Sequence, residues 1–230
     1  MISIVVPAYN EEDVLPDFLE EIAKLTDKES NIELLVVNDG SQDKTPKILD
    51  DAKEKYPFLR VITHEVNKGL GAALATGFKN AKGDIIVTLD SDLTHPPLFI
   101  QELIKQKDVY DCCIASRYVR DGGMKDVPQH RIWLSIFANT IFSIFYAIPV
   151  KDITSGFKVY NAGMLRDMEI KSKSFQVQLE IMVNLAKQGA TFKEVPLVLV
   201  NRTKGASKFS IRVIPKYLST GMRLFLVRWF

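Results

Sequence analysis

The sequence predicts an α/β protein: a mainly parallel, Rossmann-like sheet with helices on both faces. Short β-rich apolar runs alternate with amphipathic segments of helical length through the first half of the chain, the pattern of successive βαβ units. The runs are near-continuously apolar, as strands buried on both faces are. The residues just after several runs are turn formers and oxygen ligands, and in open α/β sheets ligands bind beyond the carboxyl ends of the strands.

The strands are expected at "ISIVVP", "IELLVVND", "RVITH", "DIIVTLD" and "CCIAS", between Ile2 and Ser116. Three strand ends carry the chemistry: "PAYNEE" after the first, "NDGSQD" after the second and "DSD" after the fourth. Asn10 and Ser41 are candidate caps for the helices that follow, with Glu11 and Glu12 near a positive helix end. Glu11 and Asp39, nearest the expected crevice, read as ligand contacts. If the backbone stays extended, Asp90 and Asp92 share one face and aim two carboxylates at one point. Such oxygen ligands suit Mg²⁺ or Mn²⁺, whose shell is completed by water and substrate phosphates.

At 230 residues and 47% hydrophobic, the chain can bury one substantial core. A net charge of +2 excludes a nucleic-acid binder held by bulk charge. Cys112 and Cys113, adjacent in an apolar run, read as core thiols of a reducing compartment. Met1 leads straight into an apolar strand with no leader pattern, which predicts a cytoplasmic protein. His64, His95 and His130 lack zinc-ligand spacing. "GLGAAL" at Gly69–Leu74 begins like a dinucleotide fingerprint but lacks its third glycine, so Gly69 and Gly71 read as tight-turn and close-packing positions.

Taken together, "VVPAYNEE", "VVNDGSQD", "NKGLGAALATGF", "GDIIVTLDSDLTHPP", "SRY" and "TSGFKVY", in this order, resemble the family 2 glycosyltransferases of GT-A fold. Within that family they are similar to the polyprenyl-phosphate glycosyltransferases, dolichyl-phosphate mannose synthases among them. The likeness runs from Ile2 to about Lys208. It implies a nucleotide-sugar donor, with a divalent cation, Mg²⁺ or Mn²⁺, at Asp90 and Asp92. It implies donor contacts at Pro7, Tyr9, Glu11, Val37, Asp39 and Ser91. Where relatives often carry Gln as a further metal ligand, this chain has Thr94.

The second half holds "IWLSIFANTIFSIFYAIPV", nineteen residues without a charge. A span here would separate the two halves of the site across a bilayer. Arg131, Ser135, Asn139 and Ser143 instead recur every four residues as one polar stripe on a helix of about 130–147, with Trp133, Phe137, Ile141, Phe142, Ile144 and Phe145 crowding the rest. The helix is expected to lie in a membrane interface with its stripe toward the protein. The resemblance implies that Arg131 and Ser135, with Arg117 beside them, contact an acceptor phosphate, and that Arg202 and Lys208 contact the donor. Lys204 belongs to the same basic loop, and Asp121, Gly122 and Gly123 suggest a second flexible segment. Gln176 to Glu180 would flank the donor.

The expected organisation is a catalytic domain over 1–210 and an amphipathic membrane-proximal helix over 211–230. The expected reaction is inverting, metal-dependent transfer of a hexose, mannose from GDP-mannose foremost, to a dolichyl or polyprenyl phosphate. Partners are the donor, this lipid acceptor, the cytoplasmic face of a membrane and a small membrane subunit of the kind some relatives possess; no nucleic acid is expected. Glucose transfer from UDP-glucose, a sugar-hydroxyl acceptor with Asp152 or Glu180 as base, and a non-catalytic binding module are the alternatives.

Overall fold

The structure, a computed structural model, describes residues 1–26 and 31–200 together with Gly221, Leu224 and Phe225. In chain order its strands and α-helices are β1 (Ile2–Ala8), α1 (Leu15–Thr26), β2 (Ile32–Asn38), α2 (Thr45–Lys55), β3 (Leu59–Thr63), α3 (Leu70–Asn80), β4 (Ile85–Thr88), α4 (Ile100–Ile104), β5 (Cys112–Ser116), β6 (Gly123–Lys125), α5 (Gln129–Tyr146), β7 (Lys158–Asn161), α6 (Val177–Lys187), β8 (Phe192–Pro196) and β9 (Val198–Val200). Seven strands form one sheet in the order β3-β2-β1-β4-β7-β5-β8, and β6 pairs with β9 in a small ribbon.

The five expected strands all form, and β1 to β4 are parallel. Alternation along β1 explains the layers. Ile4 and Val6 pack on one face with Phe18 and Ile22 of α1, Leu49 of α2 and Leu103 of α4. Val5, between them, faces Leu74 and Phe78 of α3 and Leu179 and Val183 of α6 on the other. Helices therefore cover both faces, as a two-sided apolar sheet requires.

The "TSGFKVY" segment adds an unexpected element. Its carboxyl half, β7, runs antiparallel between β4 and β5, so that Lys158 lies opposite Thr88 on one side and Ile114 on the other. A lysine in a central strand hides the apolar pattern by which strands are recognised. β4 also ends sooner than expected, at Thr88, and the chain turns over 91–93 with Leu93 at φ 60°. The Asp90–Asp92 pair therefore sits in a turn and not on an extended strand, contrary to the expectation.

The polar stripe of α5 faces inward as anticipated. Asn139 is buried and Ser135 and Ser143 are half-buried, whereas Arg131, at the amino-terminal end, is exposed. On the outer side Trp133, Phe137 and Ile144 are 67%, 64% and 76% exposed. Phe142 is partly buried against the core and Phe145 lies 4.9 Å from the Phe225 ring. No helix among the described residues is long and apolar enough to cross a membrane. Tyr146 donates its hydroxyl hydrogen to the Gly221 carbonyl at 2.9 Å, and Leu224 is buried in the same cluster. The expected 211–230 helix otherwise lies outside the described residues.

Candidate active site

Parallel pairing aligns the ends of β1 and β2, with Pro7 opposite Val37 and Ala8 opposite Asn38, and places β4 on the other side of β1. The loops beyond these ends cross-brace one another. Asn10, at φ 52°, accepts a hydrogen bond from the Gln42 amide at 2.8 Å, and its own amide donates to Ser41 Oγ at 3.0 Å. The Glu11 and Glu12 amides donate to Thr45 Oγ1 and Asp43 Oδ2. Asn10 and Ser41 thus do not cap their own helices: α1 begins only at Leu15, and at the start of α2 the Thr45 amide donates to Asp43. Pro7, Tyr9 and Glu11 line this region half-buried, and Val37 is fully buried.

Asp39 is buried, and both its oxygens are engaged. Oδ1 meets His64 Nδ1 at 2.6 Å and accepts the Lys68 amide at 2.9 Å; Oδ2 accepts the Gly69 amide at 2.7 Å. The start of α3, where a dinucleotide fingerprint would hold phosphate, is therefore filled by the protein's own carboxylate. Gly69 has φ 93°, and a Cβ on Gly71 would stand 1.7 Å from the Ser172 carbonyl oxygen, so both glycines serve the turn and close packing expected of them. The sequence offered no pairing rule that would find His64.

At the end of β4, Ser91 and Asp92 are buried and Asp90 is half-buried. Asp92 Oδ1 accepts from both the amide and the hydroxyl of Thr94, at 3.0 and 2.6 Å. Thr94 thereby orients Asp92, a different task from the metal ligation expected of it, although its hydroxyl oxygen keeps lone pairs. Buried His95 stands behind the turn, its Nδ1 accepting the Asp90 amide at 3.4 Å and its ring 5.2 Å from Phe157. Burial lowers the His95 pKa against the opposing pull of Asp90 and Asp92. No group of three His, Cys, Asp or Glu side chains arranged to hold a metal ion occurs among the described residues. Two carboxylates that leave the remaining positions to water and diphosphate oxygens fit Mg²⁺ or Mn²⁺.

Where the acceptor phosphate is expected, Arg117 is held by Asp152, which has no exposure: Nε to Oδ2 at 2.8 Å and Nη2 to Oδ1 at 2.6 Å. Nη2 also donates to Thr154 Oγ1 at 3.2 Å. Burial disfavours the guanidinium charge, but the Asp152 pair outweighs it and raises the pKa. The ring of Tyr118 lies 4.9 Å from the Arg117 guanidinium carbon, and its hydroxyl is 2.6 Å from Ser135 Oγ. Arg117 and Ser135 are thus brought together through Tyr118, a residue to which the motif reading gave no role. Arg131 lies one helical turn before Ser135. A cavity of about 530 Å³ opens here, lined by Arg117, Tyr118, Gly122, Met124, Ile132 and Ile136. Another, of about 450 Å³ beside Ile2 and Ile32, is at the amino ends of the strands, away from this chemistry.

Both candidate bases are consumed. Asp152 belongs to Arg117, and Glu180, 2% exposed, accepts the Lys171 and Ser172 amides at 3.1 and 2.7 Å. Burial raises the Cys112 thiol pKa and moves that of Cys113 to about 11, so both are inert core thiols. Lys158, fully buried, donates to the carbonyls of Ile153 (3.1 Å) and Ser155 and to Gln178 Oε1 (3.1 Å), and burial brings its pKa down to about 8. Arg202, Lys204 and Lys208 lie outside the described residues.

A mainly parallel seven-stranded sheet interrupted by one antiparallel strand, with helices on both faces, is the architecture of the GT-A fold. Glucosyl-3-phosphoglycerate synthase from Mycobacterium tuberculosis, solved with Mn²⁺, UDP-glucose and phosphoglyceric acid, has this fold: the TM-score is 0.73 at 19% identity, covering 99% of this chain and 79% of that one. The family model for glycosyl transferase family 2 matches residues 3–168, and the chain belongs to that family. It is 33% identical over 233 residues to a dolichol-phosphate mannosyltransferase of Pyrococcus furiosus, covering 99% of this chain and 64% of that protein. It is 30% identical over 215 residues to a polyprenol monophosphomannose synthase of Mycolicibacterium smegmatis, covering 90% of this chain and 80% of the relative. The chain thus spans less than two thirds of the length of the first of these relatives.

Proposed function

We propose that this chain transfers a hexose from a nucleoside diphosphate sugar, GDP-mannose foremost, to a dolichyl or polyprenyl phosphate at the cytoplasmic face of a membrane. The observation that carries the reading is the character of the acceptor side. Arginine and hydroxyl groups line it, while Asp152 and Glu180, the carboxylates nominated to activate a sugar hydroxyl, are bound up in internal hydrogen bonds. A phosphate monoester is already anionic near neutral pH and attacks without a strong base. What it needs is a place where its charge is tolerated. Arg117, Arg131 and Ser135 provide that place, and the names of the two relatives support the same acceptor class.

With Nε and Nη2 of Arg117 spent on Asp152 and Thr154, Nη1 has no hydrogen-bond partner among the described residues and is the group offered to phosphate. Pro7, Tyr9, Glu11 and Ser91 form the donor side, with Val37 and the internally bonded Asp39 buried behind it and Arg202 and Lys208 assigned to it by resemblance. A divalent cation bound by Asp90 and Asp92 would neutralise charge on the departing diphosphate. The protein aligns the phosphate with the anomeric carbon and stabilises the developing charge, and a single displacement inverts that carbon. The exposed apolar side of α5 rests in the membrane interface and brings the lipid to the arginines.

The test is a mass-spectrometric assay with a short polyprenyl phosphate, Mn²⁺ or Mg²⁺ and a panel of GDP- and UDP-sugars, run beside Asp92→Ala. A glycosyl phospholipid that vanishes in the variant is the expected result. Donor turnover only with a sugar acceptor, or no turnover at all, would overturn the reading.

A further inference from the structure

We infer that Lys158 is a positioning residue that clamps residues 152–156 into a spacer between the donor carboxylates and the acceptor arginine. The inference rests on the function proposed above and adds to it a residue that touches neither substrate. The 152–156 segment meets Arg117, Asn139 of α5 and Asp90. Asp152 holds Arg117; Thr154 contacts Arg117 Nη2 and exchanges hydrogen bonds with Asn139 of α5, at 3.0 Å in each direction. A Cβ on Gly156 would lie 3.5 Å from Asp90 Oδ2, so at that point the backbone itself forms the wall beside the carboxylate.

The intervening residues turn their carbonyls the other way. Ile153 and Ser155 direct them to the Lys158 ammonium, whose third acceptor is Gln178 Oε1 on α6. Three ammonium donors meet three acceptors. The segment's carboxyl end is anchored to the sheet, since Thr88 Oγ1 donates to the Gly156 carbonyl at 2.8 Å and Ser155 Oγ to that of Ala115 at 2.9 Å. Asp90, Arg117 and the interfacial helix therefore meet on one short stretch of backbone, and the carbonyls on its far side, those of Ile153 and Ser155, are held by one side chain. Without that ammonium, two buried carbonyls lose their donor and the stretch is free to relax toward other partners.

The experiment compares wild type with Lys158→Met and Lys158→Arg by steady-state kinetics, nucleoside diphosphate binding and hydrogen exchange. In Lys158→Met we expect nucleotide affinity within about threefold of wild type, kcat lowered at least about tenfold, and KM for the donor little changed. Amides of 152–156 and of the α5 turn around Asn139 should exchange faster while β1 to β3 remain protected. Lys158→Arg, which keeps the cation, should recover most of the kcat. If Lys158→Met does not fold, Gln178→Leu, which removes the ammonium's third acceptor, should show the same pattern in weaker form. Unchanged exchange over 152–156, or a kcat loss matched by equal loss of nucleotide binding, would overturn the inference. Should wild type transfer nothing to a polyprenyl phosphate, the proposed function fails, while the exchange comparison still decides whether the clamp exists.

Discussion

Asp152, fully buried, grips the side chain of Arg117 through two parallel hydrogen bonds and accepts the Arg117 amide as well, at 2.9 Å. Asp152→Asn keeps the shape but removes the charge. Breaking a buried pair costs about 3–5 kcal/mol, and the 18% exposure of the arginine side chain places this one near the lower bound. Urea unfolding should show a loss of about 3 kcal/mol. Transfer should fall by at least about tenfold, because the guanidinium is no longer oriented.

Tyr118→Phe removes the hydroxyl paired with Ser135 but keeps the ring beside Arg117. One hydrogen bond of this kind is worth about 1 kcal/mol, so KM for the lipid phosphate should rise about fivefold with KM for the donor unchanged. Varying each substrate at saturating levels of the other checks the split.

Thr94→Val deletes the hydroxyl bond to Asp92 at nearly constant volume. Groups that orient a metal ligand typically contribute tenfold or more in affinity, so the Mn²⁺ concentration for half-maximal rate should rise by at least about tenfold. A chelator should abolish turnover in wild type, and excess Mn²⁺ or Mg²⁺ should restore it.

Trp133 and Ile144 are largely exposed on the outer side of α5. Replacing both with Asp should alter unfolding free energy by less than about 1 kcal/mol, since little packing is lost. Co-sedimentation with phospholipid vesicles should nevertheless drop sharply. Unchanged vesicle binding would remove α5 from the membrane contact.

Burial lowers the Lys158 pKa from an ordinary 10.5 to about 8. Between these values the unfolded chain binds more protons than the folded one, so this group makes stability rise with pH. Below about pH 8 its full desolvation cost is present. Cys112, whose pKa burial raises above 9.0, acts in the opposite direction at higher pH. The stability of wild type minus that of Lys158→Met should therefore increase from about pH 8 to about pH 9, below the range in which the thiol begins to titrate in the unfolded chain.

The parallel half of the sheet was legible because its signals are local: apolar runs of strand length, helical spacing between them, and ligand residues at their ends. The inward stripe of α5 was legible for the same reason, since Ser135, Asn139 and Ser143 follow the helical period. β7 was missed because Lys158 interrupts the apolar pattern. The extended path assumed through Asp90 and Asp92 failed because the Leu93 turn follows directly. Asn10 and Ser41 have the residue types of local caps, whereas the loops that carry them bond to each other across 31 and 32 residues of sequence.

The sequence by itself determined the sheet's first strands, the set of oxygen ligands at their ends, the family and the amphipathic helix, all of which depend on residue type and spacing within one segment. Only the tertiary structure decided which charges meet. Whether Asp152 serves as a base or as the partner of Arg117 depends on β7 returning antiparallel between β4 and β5, which brings residues 35 apart in sequence into contact. The same return buries Lys158 beneath the site. A side chain's task follows from its neighbours and its access to water, and for these residues both are set by strand order in three dimensions.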